Sequence, residues 1–153
     1  MLIKNQITTY NLNNTSGSTA LLGAQTGRDS SLVTRLRNAG VVILGTANLT
    51  QWGNSRDPKQ GNGWSADVGQ TLGVYFPNQD PWGSSSGSAT GTAIGLSFAA
   101  LGTEVRPWFS LPFPIPGFPN KSSSPSLCIT CLDFSRHASR STDHDTEQAT
   151  CAG

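Results

Sequence analysis

The amino-acid sequence changes character after Glu104, and this change limits how much of the 153-residue chain can form a regular domain. Six of the nine prolines, all three cysteines and both histidines follow Glu104. Proline removes a backbone donor and fixes φ, so the prolines repeated between Pro107 and Pro119 exclude regular helix and central strand. We therefore predict a folded domain over residues 1–104 and a disordered, Pro/Ser-rich tail over residues 105–153.

Signals for helix, strand and turn alternate through the first 104 residues. Asp29 or Ser30 can cap a helix whose apolar positions form one stripe before Gly40. The β-branched run 41–44 predicts a buried strand beneath that helix, and the small apolar residues 89–101 predict a second helix. Between them, the Gly- and Asn-rich residues 52–82 predict a long irregular connection. This alternation indicates an α/β fold.

Charge and hydropathy exclude several classes of partner. Ten Lys and Arg residues oppose nine Asp and Glu residues, so a formal charge of +1 creates no general attraction to nucleic acid or anionic lipid. The longest apolar stretch, residues 94–101, is too short to span a bilayer, and no secretory signal is apparent at the N-terminus. We expect no nucleic-acid partner, no membrane association and, by default, a cytoplasmic location.

Residues 83–88 read Gly-Ser-Ser-Ser-Gly-Ser and precede the second predicted helix. Runs of this kind are commonly flexible linkers or plain caps. Alternatively, the glycines permit unusual backbone angles, and the hydroxyls converge with N–H groups of the helix start on a substrate carbonyl or anion. Both interpretations stay open on these residues alone.

Segments along residues 1–104 resemble, in order and spacing, the amidase signature family. They are MLIK at 1–4, NTSGSTALLG at 14–23, LRNAGVVILGTANL at 36–49, WGSSSGSA at 82–89 and ALGTE at 100–104. The resemblance implies part of that family's fold, a mixed β-sheet flanked by helices. It also implies hydrolysis of a small-molecule carboxamide by a Ser/cis-Ser/Lys triad, with neither a cofactor nor a metal.

The resemblance assigns individual roles. Lys4 matches the catalytic lysine, and Ser84 matches the bridging serine, which follows a cis peptide bond in the family. The neighbouring residues match the substrate-binding loop: Gly83, Ser85, Ser86 and Gly87. In such a triad the lysine must be neutral to take the nucleophile's proton through the bridging serine.

Two departures concern the lysine. Asn5 stands where the family usually has an acidic residue. The sequence also begins only three residues before Lys4, so we expect Ile3 and Lys4 to lack shielding from water. An exposed Lys4 would stay protonated at neutral pH and could not act as a base.

The decisive departure is at the nucleophile. The family places its nucleophilic serine four residues after the position of Glu104, where this chain has Trp108. The preceding turn supplies oxyanion N–H groups in the family, and Pro107 removes one. We predict an inactive amidase fragment, because loss of a triad member costs on the order of 10⁴ to 10⁶ in turnover. The alternatives are a hydrolase that uses Ser110 as nucleophile and a non-catalytic binding protein.

The tail and the chain length give three further expectations. The donors Cys128, Cys131, His137, His144 and Cys151 fit no common zinc finger, so no metal site is predicted. Every valine codon begins with GT, the bases that open a spliceosomal intron, so residues from Val105 onward fit mistranslated intron or frameshifted sequence. The family's domain is several times longer, so we expect bare sheet edges and an uncovered apolar face.

Overall fold

A computed structural model describes residues 1–55, 59–104 and 126–131, with the backbone alone at Glu104 and at residues 126–131. The main sheet has the strand order β2-β1-β5-β6. Its strands are β1 (Leu2–Lys4), β2 (Gly45–Ala47), β5 (Ala99–Glu104) and β6 (Ser126–Cys131). A small antiparallel sheet pairs β3 (Trp64–Ser65) with β4 (Gly69–Gln70).

The main sheet is mixed. β1 pairs in parallel with β2 on one side and with β5 on the other, whereas β5 and β6 are antiparallel. The helices are α1 (Ser31–Asn38) and α2 (Ser86–Ala93), and short 3₁₀ segments cover Thr19–Leu21 and Gln51–Asn54. The predicted α/β class, with a mixed sheet and flanking helices, is confirmed.

Helix α1 follows the sequence signals closely. Ser30 is its N-cap, and the Ser30 hydroxyl accepts a hydrogen bond from the backbone N–H of Val33 at 3.3 Å. Gly40 lies just past the end with φ of 82°, a left-handed conformation that glycine adopts without steric cost. The predicted cap and stop are both confirmed.

The hydrophobic core joins α1 to the centre of the sheet. Ile3, Ile7, Val33 and Leu101 are buried together. Partly buried apolar side chains surround them: Met1, Leu32, Leu36 and Ile43. Because Ile3 belongs to this core, the next residue of β1, Lys4, is fixed at the end of a buried strand.

The strand predicted at residues 41–44 is wrong. These residues carry no assigned strand, and β2 begins only at Gly45. Val42 and Leu44 are 71% and 61% exposed. The segment is nevertheless tied to the chain start, because the Met1 ammonium donates to the Val42 carbonyl and the Leu44 N–H donates to the Met1 carbonyl. The β-branched run therefore forms an extended segment with one side open to solvent, rather than a buried strand.

The helix predicted at residues 89–101 is wrong in its second half. Helix α2 ends at Ala93, and Gly95 takes φ of 77°. The Leu96 N–H then bonds back to the Gly91 carbonyl, a C-terminal pattern that closes a helix. Residues from Ala99 onward form the buried strand β5, because their small apolar side chains suit an interior strand as well as an interior helix.

The predicted unstructured tail differs from the structure at one point. The proline-free residues Ser126–Cys131 form β6, whereas the other tail residues, including Trp108, Ser110, His137, His144 and Cys151, lie outside the described residues. The domain boundary at Glu104 stays a prediction.

Several large apolar side chains are exposed on the described part of the chain. Large apolar side chains more than half exposed include Leu72, Tyr75, Phe76, Trp82, Ile94, Leu96 and Phe98. Among the described residues, neither helix is long and apolar enough to cross a lipid bilayer.

Candidate active site

Lys4 ends β1 at the point where the carboxyl ends of two parallel strands meet. β1 and β5 are adjacent, with Ile3 opposite Leu101, so Lys4 and Thr103 both project from this edge of the sheet. Carboxyl ends of parallel strands are the usual place for ligand sites in open α/β sheets. Lys4 therefore lies at the edge of the sheet where such sites form.

Lys4 is fully buried, with 0% relative exposure, so the expectation that it would be exposed is wrong. Residues from sequence-distant segments cover it instead of a preceding helix. Its Nζ donates to Ser84 Oγ at 2.6 Å and to Ser85 Oγ at 2.9 Å. Thr103 Oγ1 accepts at 2.9 Å. Three hydroxyls thus surround one amine.

Residues 83–88, the Gly-Ser loop, are held against the sheet by backbone hydrogen bonds. The peptide bond between Gly83 and Ser84 is cis. The Ser84 carbonyl accepts from the Thr50 N–H at 3.0 Å, and the Gly87 N–H donates to the Asn48 carbonyl at 3.0 Å. These bonds anchor both ends of the loop to the segment that follows β2, and they bring the Ser84 hydroxyl to Lys4.

Two glycines of the loop lie close to neighbouring residues. A Cβ at Gly83 would lie 2.5 Å from Asn62 Oδ1. A Cβ at Gly87 would lie 2.5 Å from the Asn48 backbone nitrogen and 2.6 Å from its carbonyl oxygen. The Asn48 backbone leaves no room for a side chain at Gly87, whereas at Gly83 the Asn62 side chain would have to move aside, so the predicted substrate-binding loop also has a packing role.

Comparison with known proteins identifies the family. The family profile "Amidase" matches residues 1–106. The chain belongs to the amidase family. The match includes Lys4, the Gly-Ser loop and β5, and it ends where the composition of the sequence changes.

Relatives of known sequence or structure are much longer than this amidase-family chain. A protein of Arthroderma benhamiae whose name places it among the amidases is 49% identical over 106 residues, which are 69% of this chain and 18% of that protein. The peptide amidase from Stenotrophomonas maltophilia superposes with a TM-score of 0.66 at 44% identity, over 68% of this chain and 21% of the enzyme. An amidase family protein from Bacillus anthracis gives a TM-score of 0.66 at 33% identity, with the same coverage. The chain spans about a fifth of the length of these relatives.

The residues predicted for the amidase site fall into two groups. Lys4, Ser84 and Ser85 lie together, as their hydrogen bonds show. Ser86 lies instead in the first turn of α2, 1% exposed, and its hydroxyl has no hydrogen-bond partner among the described residues. It approaches Gly63, because a Cβ built there would be 3.2 Å from Ser86 Oγ. Ser86 therefore makes none of the described hydrogen bonds to Lys4.

Sequence reasoning missed two polar partners. Thr103 accepts from Lys4 and also from Gln6 Nε2 at 2.6 Å. The Ser85 hydroxyl accepts from the Thr103 N–H and donates to the Thr103 carbonyl, both at 3.1 Å. Thr103 lies in the segment that carries the family resemblance, and Gln6 is two residues past Lys4. These positions in the sequence were the available signals that both residues lie near the site.

The departure at Asn5 has a local explanation. The Asn5 side chain donates from Nδ2 to Thr15 Oγ1 at 2.9 Å, and its Oδ1 accepts from the Thr15 N–H at 2.9 Å. The Thr15 hydroxyl donates its single proton to Asp67 Oδ2. Asn5 thus supplies a donor that a carboxylate lacks, which leaves the Thr15 proton for Asp67. Both Asn5 and Thr15 are buried.

Asn5→Asp is therefore expected to lower the free energy of unfolding by about 1 to 3 kcal/mol, because two carboxylates would compete for one hydroxyl proton. Urea unfolding measures this change. Adding Asp67→Asn restores an amide donor on the other side of Thr15, so the double variant should recover most of the loss. Simple addition of the two single effects would contradict this account.

Proposed function

We propose that residues 1–104 carry the lysine and the bridging serine of a Ser/cis-Ser/Lys amidase site, and that the chain as written does not hydrolyse amides. The observation that carries this proposal is the 2.6 Å hydrogen bond between Lys4 Nζ and Ser84 Oγ. The inactivity rests on Trp108, which occupies the position expected for the nucleophilic serine.

The roles follow from the chemistry of acyl transfer. A serine hydroxyl becomes a useful nucleophile only when a base removes its proton, and a lysine acts as that base only in its neutral form. Lys4 is fully buried, and three surrounding hydroxyl oxygens accept hydrogen bonds from its amine. Ser84 would pass the proton from nucleophile to Lys4. The indole of Trp108 has no hydroxyl that could lose a proton and attack an amide.

The substrate class that fits the proposal is a small molecule with a carboxamide group. The name of the Stenotrophomonas maltophilia relative, a peptide amidase, supports this class. The near-balanced charge of the chain gives no reason to add nucleic acid or membrane lipid as partners.

Purified, folded chain is expected neither to turn over a simple carboxamide nor to react with a fluorophosphonate probe. Turnover is compared with that of Lys4→Ala and Ser84→Ala, and circular dichroism confirms folding of each preparation. Activity that disappears in both variants would contradict the proposed inactivity. Labelling of Ser110, abolished by Ser110→Ala, would favour the alternative in which Ser110 is the nucleophile.

The boundary at Glu104 leads to a separate proposal about the gene. Residues 105–153 fit translation of an unspliced intron or a shifted frame, because family resemblance stops next to Val105 while the composition changes. Sequencing the mature messenger tests this. A spliced message that continues from Glu104 into a Gly-Ser turn agrees with it, and a mature message that encodes Arg106-Pro107-Trp108 rules it out.

A further inference from the structure

Strand β5 lies inside the main sheet because β6 pairs with it and forms the edge. Ala99, Ala100 and Leu101 are at most 2% exposed. On one side, β5 pairs in parallel with β1. On the other side, it pairs over its full length with β6, from Ala99 opposite Cys131 to Glu104 opposite Ser126. Every residue of β5 therefore has a partner in β6.

The sequence of β5 is poorly suited to an edge. Exposed edge strands present unpaired N–H and C=O groups, and proteins protect them with charged residues, proline or short length. β5 reads AALGTE, without lysine or proline, and its single charged residue is the last one. The preceding Phe98 is 71% exposed, which extends the apolar character beyond the strand. Without β6, this edge would be a template for another strand.

The sequence around β6 has the protection that β5 lacks. Pro125 immediately precedes β6, and Asp133 follows it by two residues. Proline and charge next to an apolar strand limit its pairing with further chains. β6 also lies outside residues 1–106, the part that matches the amidase family. Its pairing with β5 is thus a feature of this chain rather than of the matched segment.

We propose that β6 is an intramolecular cover for the β5 edge, which prevents that edge from pairing with β5 of a second copy of this chain. The six-residue antiparallel register supplies the cover. This inference holds for the polypeptide as written and is independent of its chemistry on amides.

Cysteine cross-linking tests the register. Cα atoms of directly opposite antiparallel residues are about 4.5 to 5.5 Å apart, within the range that a disulfide spans. Under mild oxidation, Gly102→Cys should bond to the native Cys128, and Ala99→Cys should bond to Cys131. The two pairs lie three positions apart, so one is a hydrogen-bonded pair and the other a non-hydrogen-bonded pair of the antiparallel ladder. At least one of the two disulfides should therefore form readily. Cys128→Ser and Cys131→Ser are the matched controls. Peptide mapping that finds no bond, or that finds Cys151 in place of both partners, would overturn the proposal.

Replacement of residues 126–131 by a Gly/Ser hexapeptide tests the covering role. The same replacement at residues 145–150 is the control. We expect the association constant to rise by about tenfold or more only in the first variant, measured by light scattering at matched concentration. Hydrogen exchange should show loss of protection in β5 with α1 still protected. Equal association of both variants with α1 protected would overturn the proposal. If α1 also loses protection, the cross-linking result decides.

Discussion

Combining Pro107→Gly with Trp108→Ser is expected to make the chain react with a fluorophosphonate probe at position 108. The first change returns flexibility and a backbone N–H to the turn, and the second supplies a hydroxyl four residues after Glu104. The proton of the new hydroxyl could then pass through Ser84 to Lys4, whose Nζ is hydrogen-bonded to Ser84 Oγ. Mass spectrometry of the labelled peptide measures the effect.

Lys4→Ala in the same background is the decisive control. General-base catalysis typically contributes about 10² to 10⁴ in rate, so labelling should fall by a factor in that range. Ser84→Ala should act in the same direction, because it removes the bridge. Labelling at position 108 that is unchanged in both variants would contradict the proposed proton relay, since the new hydroxyl would then be reacting without help from Lys4.

Gly87→Ala is expected to lower the free energy of unfolding by about 3 kcal/mol. The new methyl group would meet the Asn48 backbone at 2.5 to 2.6 Å, and backbone atoms at a strand end cannot move away as a flexible side chain can. For a domain of this size, the midpoint of thermal unfolding should fall by about 10 °C or more. Differential scanning calorimetry measures both quantities.

Gly27→Ala is the matched control for Gly87→Ala. Gly27 has an ordinary φ, and an added Cβ would meet no atom within 4 Å. The same substitution there should change stability by less than about 1 kcal/mol. Equal destabilisation at both positions would show that loss of glycine itself, rather than the approach to Asn48, sets the cost.

Local signals in the sequence predict some of the fold well. Helix α1 was predictable because Ser30 and Gly40 each carry chemistry that acts within one helical turn. The run at 41–44 and the residues after Ala93 were misjudged for a different reason. Hydrophobicity alone does not say which neighbours a segment will pack against. The run at 41–44 is therefore partly exposed instead of a buried strand, and the residues from Ala99 onward form an interior strand instead of a helix.

Some features of the candidate site are likewise predictable from the sequence, and others are not. Lys4 and Ser84 are predictable because the family resemblance fixes their positions, and they lie in contact. The burial of Lys4 was not predictable, because the groups that cover it come from the Gly-Ser loop and from the end of β5. The partnership of Asn5, Thr15 and Asp67 depends on which atom carries a proton, and residue spacing contains no such information.

The central place of β1 has a consequence for the kinetics of folding. Lys4 meets Ser84 across 80 residues and Thr103 across 99 residues, and its strand has no partner nearer in sequence than β2. Chains dominated by contacts of such high sequence separation fold slowly, because loop closure must precede the energetic gain. The amine of Lys4 can therefore enter its ring of hydroxyls only when β1 docks between β2 and β5.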